Sequence, residues 1–139
     1  MNAARWEHFE HKADIGIRGY GNTLAEAFEQ AAIAMTTVVT DLSLIHAVTP
    51  IHIRCADRDH DTLFYDWINA LIYEMATRKM LFSQFNVEID QERLSATATG
   101  EAIDIEQHQP SVEIKGATFT ELGVYQEDGL WVAQCVIDV

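Results

Sequence analysis

The chain has 139 residues, 48% of them hydrophobic and 22% charged, with 7 Gly and 2 Pro. These proportions exclude a disordered, collagen-like or low-complexity chain and fit one domain spanning 1–139. Lys plus Arg number 9 against 22 Asp plus Glu, a formal net charge of −13, which repels polyphosphate, so direct nucleic-acid binding is not expected. No apolar run approaches the roughly 18 residues of a membrane span, and the opening residues 1–8 lack a signal peptide's apolar stretch, which points to a cytoplasmic protein without membrane attachment.

Hydrophobic periodicity switches several times between two and about 3.6 residues, giving the order strands, helix, strand, helix, strands. Gly16, Gly19 and Gly21 lack the spacing of a dinucleotide or phosphate loop and read as a strand-to-helix turn. Thr23-Leu24-Ala25-Glu26 is a capping-box pattern, after which Leu24, Ala27, Phe28, Ala31, Met35, Val38 and Val39 recur at helical spacing toward Asp41. From Thr49 to Ala56, Ile51, Ile53 and Cys55 alternate with His52 and Arg54, as in a half-buried strand. Asp59 or Asp61 can cap a second helix with an apolar stripe of Leu63, Phe64, Trp67, Ile68, Leu71, Ile72 and Met75.

Past Arg78 the period returns to two, with Phe85, Val87 and Ile89 before a turn near residues 90–92 and Leu94, Ala96 and Ala98 after it, a hairpin. Two final strands, over 111–126 and 130–139, flank Glu127-Asp128-Gly129, whose Asp-Gly step suits a tight turn. The expected fold is α+β: two helices packed on one mostly antiparallel or mixed sheet.

The chemistry-bearing residues are few. His8 and His11, three apart on a strand, point to opposite faces and make a poor zinc pair; His46, His52, His60 and His108 have no metal-binding context. Cys55 and Cys135 sit in alternating apolar segments and read as small buried hydrophobes. No serine lies in a nucleophile elbow. Most carboxylates fall on caps, turns and exposed strand faces, but Asp14 lies within Ala13-Asp14-Ile15-Gly16-Ile17, and Asp138 between Ile137 and the final Val139. A carboxylate among apolar neighbours needs a cation, donors or a proton. If Asp14 and Asp138 meet, they and the terminal carboxylate of Val139 form an all-oxygen set that favours a hard divalent cation over a soft one.

Trp6-Glu7-His8-Phe9-Glu10-His11-Lys12-Ala13-Asp14-Ile15-Gly16-Ile17 resembles the opening signature of the archease family. The likeness continues through residues 21–35, 63–73 and 82–87, Gly100-Glu101, Val112-Glu113-Ile114-Lys115 and Ile137-Asp138-Val139, nearly the whole chain. It implies a small α+β activator of the RtcB-type RNA ligase, which joins RNA ends carrying a 2′,3′-cyclic or 3′-phosphate to a 5′-hydroxyl in tRNA splicing or RNA repair. The activator promotes guanylylation of the ligase and multiple turnover and is not itself an enzyme. The same resemblance assigns metal binding to Asp14 and Asp138, completed by Val139, with calcium foremost and magnesium or manganese as alternatives, and a partner-contact role to Lys115. Many members have Tyr and His where this chain has Phe119 and Thr120, which removes any role for that hydroxyl and imidazole.

Two other functions compete with this one. One is a chaperone or modulator of an RNA-modifying enzyme such as a tRNA methyltransferase, which an exposed apolar patch would favour. The other is a stand-alone metallohydrolase, ranked last because no further base or nucleophile is evident.

Overall fold

The period-two segments form strands in two separate antiparallel sheets in the computed structural model, which describes residues 3–139. The elements are β1 (Arg5–His11), β2 (Asp14–Gly21), α1 (Leu24–Val39), β3 (Thr49–Ala56), α2 (His60–Arg78), β4 (Met80–Asp90), β5 (Arg93–Ala102), α3 (Ile105–His108), β6 (Gly116–Ala117), β7 (Gly123–Glu127) and β8 (Leu130–Asp138). The larger sheet runs β1-β2-β8 with β6 and β7 both on the far edge of β8; the smaller runs β3-β5-β4. The fold is α+β as the sequence predicts, but its strands divide between two sheets. Among the described residues no helix is long and apolar enough to cross a membrane.

Both long helices begin where their capping residues dictate. Thr23 accepts a hydrogen bond from the Glu26 N–H, which satisfies one of the donors left over at a helix start, while the Glu26 carboxylate reaches back to the Asn22 N–H ahead of the cap at 2.7 Å. Asp59 caps α2 by accepting from the Asp61 N–H. The α2 stripe of Leu63, Phe64, Trp67, Ile68 and Leu71 is fully buried. Trp67 meets Phe85 edge-on and donates its indole N–H to the Phe28 carbonyl at 3.1 Å, and Phe28 meets Phe64 edge-on.

The expected strand-to-helix turn follows Gly21 at Asn22 and Thr23, but Gly16 and Gly19 lie inside β2, so their placement in the turn is corrected. Their smallness serves packing. A Cβ on Gly19 would fall 2.2 Å from the Ala27 carbonyl oxygen and 2.3 Å from the Ala31 nitrogen, so β2 and α1 approach closely only because nothing projects there. The helix α1 also touches β4 of the smaller sheet, whose Val87 N–H donates to Glu29 at 2.8 Å.

The expected strand over 111–126 is also corrected. Only Gly116–Ala117 and Gly123–Glu127 pair with β8, and residues 118–122 bulge out between them. The short α3 was not anticipated. Asp104 caps it by accepting from the Glu106 and Gln107 N–H groups, and the segment just after it closes the end of α1: Thr40 donates to the His108 carbonyl and the Ser111 N–H donates to the Val39 carbonyl.

Candidate functional site

The turn between β1 and β2 has two residues, Lys12 and Ala13, with Lys12 at φ 54°, and it closes on the pair His11 and Asp14. On its other side β2 runs antiparallel to β8 with Ile15 opposite Ile137. One further step of that register sets Asp14 opposite Asp138, on the same sheet face, where directly opposed Cβ atoms lie about 4.5–5.5 Å apart. Asp14 is half-buried and Asp138 exposed. Among the described residues neither carboxylate takes part in an ion pair. Like charges directly opposed in a sheet repel, at a cost of roughly 0.2–1 kcal/mol. The partly buried Val139 side chain packs against the main core, directly after Asp138 in the chain. Asp138 lies opposite Gly116, and its carbonyl accepts the Lys115 N–H at 2.8 Å, which holds exposed Lys115 at the same end of the sheet.

Two carboxylates and a main-chain oxygen form a hard donor set, the chemistry of a calcium or magnesium site that leaves several positions to water or to a partner's oxygens. All three donors are oxygens, the type that a hard cation takes. Among the described residues no three His, Cys, Asp or Glu side chains converge as a ligand cluster, so His11, although in register with Asp14, adds no third side chain. The two-residue turn is the signal that could have found His11 beside Asp14.

The remaining candidates have structural partners. His8 lies on the helix side of β1, with Nε2 2.7 Å from the Ala34 carbonyl oxygen. Burial holds both thiols protonated: the Cys55 pKa is pushed up to about 11, with Asp66 adding to the effect, and that of Cys135 to about 12.

An unanticipated hydrogen-bonded cluster gathers on Glu101. Fully buried His108 accepts the Asp104 N–H on Nδ1, so its Nε2 carries the proton and donates to Glu101 at 2.9 Å. The His46 N–H and the Gln107 side-chain amide each donate to the same carboxylate at 2.8 Å. The His46 N–H first and His108 next lower the Glu101 pKa from 4.5 to about 2. A depressed carboxylate pKa contributes stability that is present above the unfolded value and lost as pH falls through the folded one. Thermal midpoints are therefore expected to fall as pH drops from about 4.5 to about 2, and Glu101→Gln should show a shallower decline over that window. Equal slopes for variant and wild type would contradict this role.

A groove of about 540 Å³ lies between the second half of α2 and residues 103–114; Ile72, Met75, Ile103, Ile105 and Val112 are among its lining, and Asp14, Lys115, Asp138 and Val139 are not.

The comparisons with known proteins agree with this architecture. The model of the Archease protein family matches residues 6–139. "Protein archease" of Pyrococcus furiosus is 39% identical over 140 aligned residues, covering 97% of this chain and 99% of that protein. "Protein archease" of Methanothermobacter thermautotrophicus is 38% identical, covering 96% and 98%. The solution structure of Methanobacterium thermoautotrophicum Protein 1598 superposes with a TM-score of 0.86 at 38% identity, covering 96% of this chain and 98% of that one. A Thermotoga maritima archease crystal structure, named a possible chaperone, shares the fold with a TM-score of 0.62 at 19% identity over 96% of both chains. From Trp6 to Val139, through the strands that carry Asp14 and Asp138, this chain belongs to the archease family.

Proposed function

We propose that this archease is a non-catalytic cytoplasmic protein cofactor that activates an RtcB-type RNA ligase, promoting guanylylation and repeated turnover in tRNA splicing or RNA repair. The observation that supports this reading is the opposed carboxylates of Asp14 and Asp138, without an ion-pair partner among the described residues, at one end of adjacent central strands. The arrangement is unfavourable for folding alone and useful once something positive meets it. A divalent cation held there by Asp14, Asp138 and a Val139 oxygen supplies a positive centre that attracts a phosphate or a partner carboxylate. The chain's own contribution is placement. The strands fix both acids on one face, the partly buried Val139 side chain holds that residue against the core, and exposed Lys115 offers an ammonium to a phosphate or acidic group nearby. The strongly negative chain steers toward a positive surface on the ligase, and guanylate transfer stays with the ligase.

The test is to count ligation events per ligase molecule, using the ligase of the same organism, with and without this protein. Turnover numbers well above one only when the protein is present support the reading; identical turnover in both arms contradicts it.

The chaperone reading is favoured by a different observation, the exposure of Ile105 (68%) beside the apolar groove. Suppression of an unrelated client's aggregation that survives loss of both Asp14 and Asp138 would support it in place of the ligase reading.

A further inference from the structure

We propose that Phe119, held flat on Tyr65, is the apolar anchor by which this face docks on a basic, arginine-presenting protein surface. The inference rests on the ligase reading and names how that partner is gripped. Phe119 is 69% exposed, yet its ring stacks on Tyr65 with centroids 4.5 Å apart and planes 13° from parallel.

The segment that carries Phe119 is fixed to β8. Thr118 donates to the Val136 carbonyl from both its N–H (3.0 Å) and its hydroxyl (2.8 Å), the Val136 N–H donates to the Thr120 carbonyl at 3.0 Å, and the Gln134 side chain donates to the Glu121 carbonyl at 3.0 Å. Within the bulge the Leu122 N–H closes back on the Phe119 carbonyl at 3.2 Å. An aromatic ring ordered before binding has less freedom to lose at an interface, which is what an anchor needs.

The surroundings extend the surface. Asn69, one helical turn beyond Tyr65, accepts the Ala117 N–H at 2.9 Å and so ties α2 to β6. Tyr73, a further turn along the same stripe, is 64% exposed. Val136, which carries the bulge, precedes Asp138 by two residues on the same strand, so the aromatic patch and the acid pair share one scaffold.

Charge selects the occupant. The chain carries −13, and exposed Glu113 and Glu121 lie on either side of Phe119 in sequence, in the stretch 111–127 whose only Lys or Arg is Lys115. Guanidinium is the cationic group that both lies on an aromatic face and pairs in a bidentate fashion with a carboxylate.

The experiment titrates wild type, Phe119→Ala, Phe119→Tyr, Glu121→Gln and Asp14→Ala against the ligase of the same organism, reading direct binding and the rate of guanylylation. Phe119→Ala is expected to raise the half-saturating concentration about tenfold with the plateau rate and thermal midpoint retained. Phe119→Tyr should match wild type, Glu121→Gln should weaken binding a few-fold with a flatter salt dependence, and Asp14→Ala should lower the plateau instead. A Phe119→Ala half-saturation within twofold of wild type, with Asp14→Ala still losing the plateau, overturns the anchor and leaves the ligase reading standing. Wild type that neither binds nor stimulates the ligase overturns both.

Discussion

Asp14→Ala is expected to lower the stimulated rate of ligase guanylylation by at least about tenfold while leaving the thermal midpoint of the protein unchanged or slightly raised. Both halves follow from one geometry. Asp14 sits opposite Asp138 without a cationic side-chain partner among the described residues, so removing it relieves a repulsion of roughly 0.2–1 kcal/mol and breaks no ion pair. Asp138→Asn should behave in the same way because it is the other half of the pair. Melting curves and single-turnover guanylylation on the same preparations check this. A variant that melts many degrees lower would mark Asp14 as a folding residue, and a variant with full stimulation would remove it from the mechanism.

Trp67→Ala should produce the largest loss of stability, about 3–5 kcal/mol, seen as a drop of roughly 10–20 °C in thermal midpoint for a chain of this size. Trp67 is fully buried between the helices and the smaller sheet, edge-on to Phe85, and its indole N–H is bonded to the Phe28 carbonyl at 3.1 Å. Truncation leaves a cavity that α1, already pressed onto Gly19 of β2, is poorly placed to fill. Differential scanning calorimetry reads the shift directly. A drop of only a few degrees would show that the core relaxes around the missing ring.

The two expectations draw on parts of the sequence that are unequally legible. The capped helices could be read because Thr23 and Asp59 announce their starts and the apolar stripes run unbroken behind them. The strand Thr49–Ala56 could be read from strict alternation. The division into two sheets could not, because alternation identifies strands without saying which edges pair. The glycines of β2 misled because a residue that permits a turn also permits close packing, and only the position of α1 decides between them. The break at residues 118–122 was hidden because Thr118, Phe119 and Thr120 are all good strand formers, while Glu121 at φ 55° and the bonds back to β8 set the bulge.

The site was legible in part. That Asp14 and Asp138 deserve notice follows from their apolar neighbours, although Asp138 proves exposed, and the burial argument holds only for Asp14. That they face each other depends on the pairing of β2 with β8, a contact between opposite ends of the chain that periodicity does not encode. The short helix at residues 105–108 left a usable signal, Asp104 followed three residues later by Gln107, a capping pattern ahead of too few apolar residues to stand out. The Glu101–His108 bond left none, since it is made by a fold-level meeting of β5 and α3.

Two opposed acids, given a divalent cation, are proposed to make this chain an activator of its ligase. The most direct test follows guanylylated ligase over time with chelator-stripped wild-type protein, then with calcium, magnesium or manganese restored to it. Slow accumulation is expected with the stripped protein, recovery on addition of at least one of these cations, and no recovery in the double variant Asp14→Asn/Asp138→Asn. Equal rates with stripped, restored and doubly substituted protein would contradict the proposal.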